Sequence, residues 1–578
     1  MCGIYGITEN NPKIIGEIIK KCSHRGPNGS GIYSSEKVTL GHNLLSITSN
    51  PNDGKQPWKS IKENILIFNG EIFNYEELLL RFKDKFYPKS TCDTELLSWL
   101  LDEYSYETVI QNTIDSMHSF VFYNKKKNEI VLSRDHVGIK PLFFSNTKTG
   151  IIFSSEIKGL LNFVKSSNKI DRLSLACTSM LGVNVLRQTV FKGILKVLPG
   201  ETIIYDLSLK KIKRSFRTLV KPYSNKKLFK EEFENITSKV IGNSTLGLRR
   251  FGLFLSGGID SSLIAYELNK QLDKLDSFTN KMEPNVIING EDHNNDAYIA
   301  KKYAENLNFN HKEVKISPDI IANNWDKAIW SIEEPRYNWN LPMYYYTNEV
   351  LSKNKIIVTM AGDVGDEIFG GYKKYYIMKQ MFKKPKKWKD FLKIWVKKFS
   401  SPIKLNIKFN ENDLVDILEK ILPEEIWNPE DIANSAMALD CITTVSEDFF
   451  SRNDRYGMAF SMEGRFPLAS KEYMQYCLSI NSDYKIGGKD TETKLPVRSS
   501  YKNKIPNYIF DKYKTGWSVP ITNWLQNSPI IKKKYLDSVN KDDGIREILN
   551  NDNYSGNIKR AIITWMIRTW SQQYNMTL

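Results

Sequence analysis

Cysteine at position 2 is the first residue that could do chemistry, because removal of Met1 would leave a thiol and a free amine on one residue. Such an amine, with an ordinary pKa near ~8, can act as base for its own thiol directly or through water. Asn69-Gly70-Glu71 follows the apolar run Ile65 to Phe68. A glycine N–H beside an asparagine amide suits the oxyanion of a tetrahedral intermediate. Asp93 offers a carboxylate to a substrate ammonium group, and His24-Arg25-Gly26-Pro27 supplies a cationic turn. Far along the chain, Ser256-Gly257-Gly258-Ile259-Asp260-Ser261 links the apolar run Phe251 to Leu255 to a helical pattern over Ser261 to Leu268. This turn aims backbone N–H groups and a helix start at one spot, as phosphate oxygens require, but it lacks a Walker lysine. A second Gly/Asp turn, Ala361-Gly362-Asp363-Val364-Gly365-Asp366, follows the run Ile356 to Met360. Asp260 and Asp366 are hard oxygen ligands suited to Mg²⁺ beside phosphates, although aspartates at such turns also cap helices.

The elements that must carry these residues fall into two grammars. To about residue 205 the chain reads as short runs punctuated by Gly, Pro and Asn: Ile65 to Phe68, Phe120 to Tyr123, Ile130 to Ser133, Ile151 to Ser154 and Thr202 to Tyr205. That pattern predicts a layered, mainly antiparallel β structure with some helices. From about residue 226 helical stretches such as Lys227 to Gly242 alternate with buried-strand runs, which predicts a parallel sheet. The expected domains are 1–210 and 226–578, joined by a polar linker near Lys221 to Lys227. A chain of 578 residues exceeds one ordinary core, in keeping with two domains.

Lys+Arg exceeds Asp+Glu by 82 to 66, a net charge of +16, most of it lysine and read as a solvated surface rather than a polyanion site. The cysteines form no CxxC pair, no secretory signal precedes Cys2, and no apolar run is long enough to span a bilayer, so a reducing cytoplasm is expected. Lys383 to Lys398 carries Trp388, Phe391, Leu392, Trp395 and Val396 at helical spacing. This basic amphipathic helix either docks on its own domain or touches a membrane surface.

Met1-Cys2-Gly3-Ile4, His24-Arg25-Gly26-Pro27, Asn69-Gly70-Glu71, the Asp93 segment, the string Arg134 to Leu142 and Ser155-Glu156-Ile157-Lys158 together resemble the class II glutamine amidotransferases. The SGGxDS turn resembles the pyrophosphate loop of enzymes that split ATP into AMP and pyrophosphate. With Glu334-Pro335 and Glu463-Gly464-Arg465-Phe466-Pro467 also in order, almost the whole chain resembles the asparagine synthetases. The resemblance implies an α/β chain: a layered α+β glutaminase domain of the Ntn-hydrolase type, then an α/β PP-loop synthetase domain. It implies catalytic roles for Cys2, Asn69, Gly70, Asp363 and Lys514, with glutamine on Asn69, Gly70, Glu71 and Asp93. ATP would lie on Leu255, Ser256, Gly257, Gly258, Asp260, Ser261, Ala361, Gly362 and Lys494, and Mg²⁺ on Asp260 and Asp366.

Some positions depart from the family pattern. Leu44 stands where the family has the arginine that holds the glutamine α-carboxylate, so another cation, Arg25 being the candidate, replaces it or glutamine binds weakly. Asp363 stands in place of a glutamate, and Ala469-Ser470 in place of a Leu-Asp pair expected near the acceptor. The partners expected are glutamine and an acceptor carboxylate, either aspartate or a sugar or peptide carboxylate; a homodimer is allowed for, and no nucleic acid is expected. A PP-loop enzyme acting on tRNA is the alternative from another class, but it leaves the amino-terminal motifs unexplained and comes without an RNA-binding module.

Overall fold

A computed structural model describes residues 2–48, 50–223, 225–247, 249–272, 274–288, 291–382, 384–399, 405–511, 518–539, 545, 548–549 and 558–578. The amino-terminal unit holds two six-stranded antiparallel sheets. Gly3–Ile7 lies inside one, between Ile151–Ser154 and Thr39–Leu44; Ile65–Ile72 lies inside the other, between Ser116–Asn124 and Trp58–Lys59. Successive side chains of a strand point to opposite faces, and Ile65–Ile72 uses both. Ile65 and Ile67 join Ile4, Leu40 and Phe153 between the sheets. Leu66 and Phe68 face outward onto Leu96, Trp99 and Leu100 of the helix Asp93–Glu103. Helix Pro12–Lys21 covers the other sheet through Ile15 and Ile18, giving a helix, sheet, sheet, helix stack. The last hairpin carries the second sheet past residue 210, because Lys211–Arg217 pairs with Glu201–Asp206.

The carboxy-terminal unit is built on a five-stranded parallel sheet ordered Asn310–Ile316, Asp276–Met282, Phe251–Phe254, Val358–Met360, Glu463–Arg465. The chain starts at Phe251–Phe254, builds outward on one side, then returns to build on the other. The strand order therefore reverses between Phe251–Phe254 and Val358–Met360, and a crevice opens beyond the carboxyl ends of strands at such a switch point. Both Gly/Asp turns follow these two strands.

The basic helix forms over Trp388–Phe399. Trp388, Phe391, Leu392, Trp395 and Val396 are all buried in the unit's own core, with Leu414, Val415 and Leu418 of the helix Glu411–Ile421 in the same cluster. These side chains are thus covered by the helix's own domain, the first of the two readings, which leaves them unavailable for the alternative membrane contact. Among the described residues no helix is long and apolar enough to cross a membrane.

Candidate active sites and the interface between them

Cys2 sits at the start of an inner strand, 7 % exposed, and its backbone nitrogen donates to Asn69 Oδ1 at 2.9 Å. Asn69 Nδ2 donates in turn to Ser119 Oγ at 3.3 Å, which fixes the amide's orientation. Gly70 is required by close packing: a Cβ there would meet Met117 O at 2.2 Å. Burial pushes the Cys2 thiol up, outweighing the positive amino terminus and the Leu45 N–H that faces the sulfur.

Beside the thiol lies an acidic group assembled from both units. Asp93 Oδ2 accepts from Ile72 N at 3.1 Å, and Glu71 Oε2 lies 3.3 Å from Arg465 Nη2. Arg465 Nε also bonds Glu463 Oε1 at 2.7 Å, and both belong to the edge strand Glu463–Arg465 of the carboxy-terminal sheet. Burial, aided by the Glu463 charge, pushes Asp93 up to about 7. Burial opposes ionisation of Glu463 too, yet the positive amino terminus, Arg465 and Lys140 hold it down at about 2.

Arg25 is fully buried and cannot serve in place of Leu44. Its Nε donates to Cys2 O at 3.1 Å, Nη1 to Glu156 at 3.0 Å and Asp454 at 2.8 Å, and Nη2 to Asp454 at 3.2 Å. Much of the amino-terminal motif set serves this interface. His136 Nε2 pairs with Ala469 O at 2.9 Å, and Lys140 Nζ donates to Gly464 O at 3.4 Å. Lys158 N donates to Glu333 Oε1 at 2.8 Å, while Arg455 Nη2 bonds Glu333 Oε2 at 2.8 Å. Ser470 Oγ donates to Asp115 Oδ2 at 2.6 Å, so Ala469-Ser470 lies in the interface between the units, outside the lining of the switch-point cavity.

At the switch point the turns form one wall of a cavity of about 1000 Å³. Gly257 takes φ +72, and a Cβ on it would meet Asp296 O at 2.6 Å. Ser261 Oγ ties the turn together through Ser256 N at 3.2 Å and Gly258 O at 3.2 Å, leaving helix Ile259–Asn269 to begin at its rim. The second turn is strained: Val364, β-branched and buried, sits at φ +79. Gly365 packs on Asp260, where a Cβ would meet Cγ at 2.5 Å. Asp260 and Asp366 converge on the ammonium of Lys494, 2.8 Å from Asp366 Oδ1. Lys514 lies outside the described residues.

The opposite wall was not anticipated. Arg452 sits over the Tyr344 ring with its guanidinium carbon 4.1 Å from the ring centre, and bonds Asp448 Oδ2 at 3.0 Å. Asn453 Nδ2 donates to Asp363 Oδ2 at 3.4 Å. Burial pushes Asp363 up against the pull of Arg452. No periodicity marks these residues, since an arginine on a helix surface is ordinarily solvated.

Residues 1–216 match the family described as Glutamine amidotransferase domain, and 241–562, more than half of the chain, match Asparagine synthase. The chain belongs to the asparagine synthase family. Asparagine synthetase (glutamine-hydrolyzing) 1 of Bacillus subtilis is 27% identical over 575 residues, covering 91% of this chain and 88% of that protein. Putative asparagine synthetase (glutamine-hydrolyzing) 2 of Methanocaldococcus jannaschii is 27% identical over 476 residues, 76% of this chain and 88% of the relative. A second B. subtilis synthetase, number 3, is 23% identical over 546 residues, 89% and 87% of the two chains.

Proposed function

We propose that this chain is a glutamine-hydrolysing asparagine synthetase. The observation that carries the reading is the presence in one chain of Cys2, held with its nitrogen on Asn69, and of two Gly/Asp turns meeting at Lys494. With Met1 removed, the nitrogen on Asn69 Oδ1 becomes the amine that takes the thiol proton. Cys2 Sγ then attacks the glutamine side-chain amide; Asn69 and Gly70 donate to the oxyanion, Asp93 and Glu71 hold the ammonium, and ammonia leaves as the thioester forms. Water hydrolyses the thioester to glutamate.

In the second site the turn from Leu255 to Ser261 and the pair Ala361-Gly362 cradle ATP, with Lys494 beside the pyrophosphate. The acceptor carboxylate attacks the α-phosphorus, pyrophosphate leaves, and ammonia arriving from Cys2 displaces AMP from the acyl-adenylate. Two carboxylates close enough to share one ammonium form a donor set that fits Mg²⁺, so Asp260 and Asp366 would hold an ion that neutralises phosphate charge. A second reading keeps the mechanism and changes the acceptor to a sugar or peptide carboxylate. Asp363 favours it, because the departure from the family glutamate faces the wall that carries Arg452 and Asn453.

The test is product analysis with ¹⁵N-amide glutamine and ATP: aspartate should yield labelled asparagine, AMP and pyrophosphate in equal amounts. Turnover only with another carboxylate selects the second reading. Glutamate release with no amide from any acceptor overturns both.

A further inference from the structure

Leu44 leaves the strand Thr39–Leu44 without a cation for the α-carboxylate of glutamine. The guanidinium groups nearest Cys2 are committed elsewhere, Arg25 to Glu156 and Asp454, Arg465 to Glu463 and Glu71. A different arginine reaches the same wall from the other unit. Arg249 Nε donates to Ser46 O at 3.0 Å, two residues past Leu44. Its Nη1 and Nη2 make no hydrogen bond among the described residues, and the side chain is half-buried. Gly247 makes the approach feasible: it takes φ +119, and a Cβ on it would lie 3.2 Å from both Ile47 Cγ2 and Ile47 O. Backbone 247 therefore lies on segment 46–48 and carries Arg249 over it.

The reach also agrees. Gly3 pairs with Asn43 in the antiparallel register, which sets Cys2 across from Leu44, so the wall from Leu45 to Thr48 leads away from the nucleophile. In glutamine, four C–C bonds of ~1.5 Å place the carboxylate carbon about 5 Å from the amide carbon, a little over one residue spacing of ~3.8 Å. A glutamine laid along this wall with its amide carbon at Cys2 Sγ brings its carboxylate toward Ser46, where Arg249 lies. The ammonium group points the other way, to Asp93 and Glu71. A planar guanidinium with both terminal nitrogens open is the group that binds a carboxylate through two parallel hydrogen bonds.

We propose that Arg249, from the carboxy-terminal unit, supplies the guanidinium that holds the α-carboxylate of glutamine in place of a residue at position 44. The assignment rests on the amidotransferase reading above. It makes the glutamine site a composite, with the nucleophile from one unit and the substrate's anion anchor from the other.

The experiment uses the full-length protein and two amide donors: glutamine, and glutamine α-amide, which has no carboxylate. Arg249→Gln should raise the KM for glutamine about tenfold to a hundredfold, the effect of one lost charge-assisted contact, while the KM for the α-amide stays unchanged. Adding Leu44→Arg to Arg249→Gln should restore the glutamine KM, because the cation returns to the same carboxylate from the other side. A parallel rise in KM for both donors, or an equal loss of ammonia-dependent synthesis, would assign Arg249 to docking of the units and overturn the proposal. So would an unchanged glutamine KM in an otherwise active Arg249→Gln protein, and that result would leave the amidotransferase reading intact. Absence of any glutamate release by the unmodified protein would instead bring down that reading, and this assignment with it.

Discussion

The two sites are built on opposite plans. Around Cys2 the chemistry lies in side chains, and the charged ones come from both units: Asp93 and Glu71 from one, Glu463 and Arg465 from the other. The switch-point cavity is lined from Phe254 to Asp511 by the carboxy-terminal unit alone, with both Gly/Asp turns at the ends of two neighbouring strands in its wall. Dependence therefore runs one way. The cavity keeps its walls whatever happens at Cys2, whereas the Cys2 site loses its electrostatic balance if the other unit is displaced.

The largest effects should come from separating the sites. Cys2→Ala is expected to cut glutamine-dependent synthesis by about a thousandfold or more while ammonia-dependent synthesis survives. Asp260→Asn or Asp366→Asn should do the reverse, ending pyrophosphate release and sparing glutamate release. Rates followed with each nitrogen donor check both; equal loss of the two activities in folded Cys2→Ala protein would erase the contrast.

A smaller effect tests the one-way dependence. Asp454→Ala strips the buried Arg25 of its bidentate partner and leaves it Glu156 alone; a buried charge left wholly unpaired costs about 3–5 kcal/mol, so a loss below that range is expected. Chemical denaturation should show that loss, with glutaminase activity failing at lower denaturant than pyrophosphate release. Simultaneous failure of both activities would mean that the cavity leans on the interface as much as the thiol does.

The smallest effect is a pH dependence. Asp93, pushed up to about 7 by burial and by Glu463, must be ionised to hold an ammonium group. Protonation below pH 7 removes that charge, so the glutamine KM should rise as pH falls from about 8 to about 6 and level off above about 8. Asp93→Asn should raise the KM and flatten the profile. A flat profile in the unmodified protein would transfer the ammonium contact to another group.

The two turns at the switch point were legible as turns, because a Gly/Asp turn after a short apolar run is a local pattern, and alternating helices and strands announce a parallel sheet though not its strand order. The runs Ile65 to Phe68 and Ile151 to Ser154 likewise announce strands by composition alone. The interface left no such trace. Asp135 shows why. It belongs to a string that marks the family resemblance without showing what the residue does; its carboxylate accepts from Ile139 N at 2.8 Å and Lys140 N at 3.0 Å and holds a turn together. Arg25 finds Asp454 across 429 residues, and Glu71 finds Arg465 across 394. A charged residue that ends up buried looks identical in sequence to one that ends up in water, and only its distant partner tells them apart.

That separation in sequence has a consequence in time. Ile170 N donates to Thr577 O at 2.8 Å, and Thr577 N donates to Asn168 O at 2.7 Å, so the amino-terminal unit is closed by a segment made 360 residues after Arg217 (577 − 217). At ~5–20 residues per second the nascent unit waits roughly 20–70 s for that segment, and roughly 12–50 s for Asp454 and Arg465, the partners of Arg25 and Glu71. The surroundings of Cys2 are thus completed only after their partners in the second unit have been made.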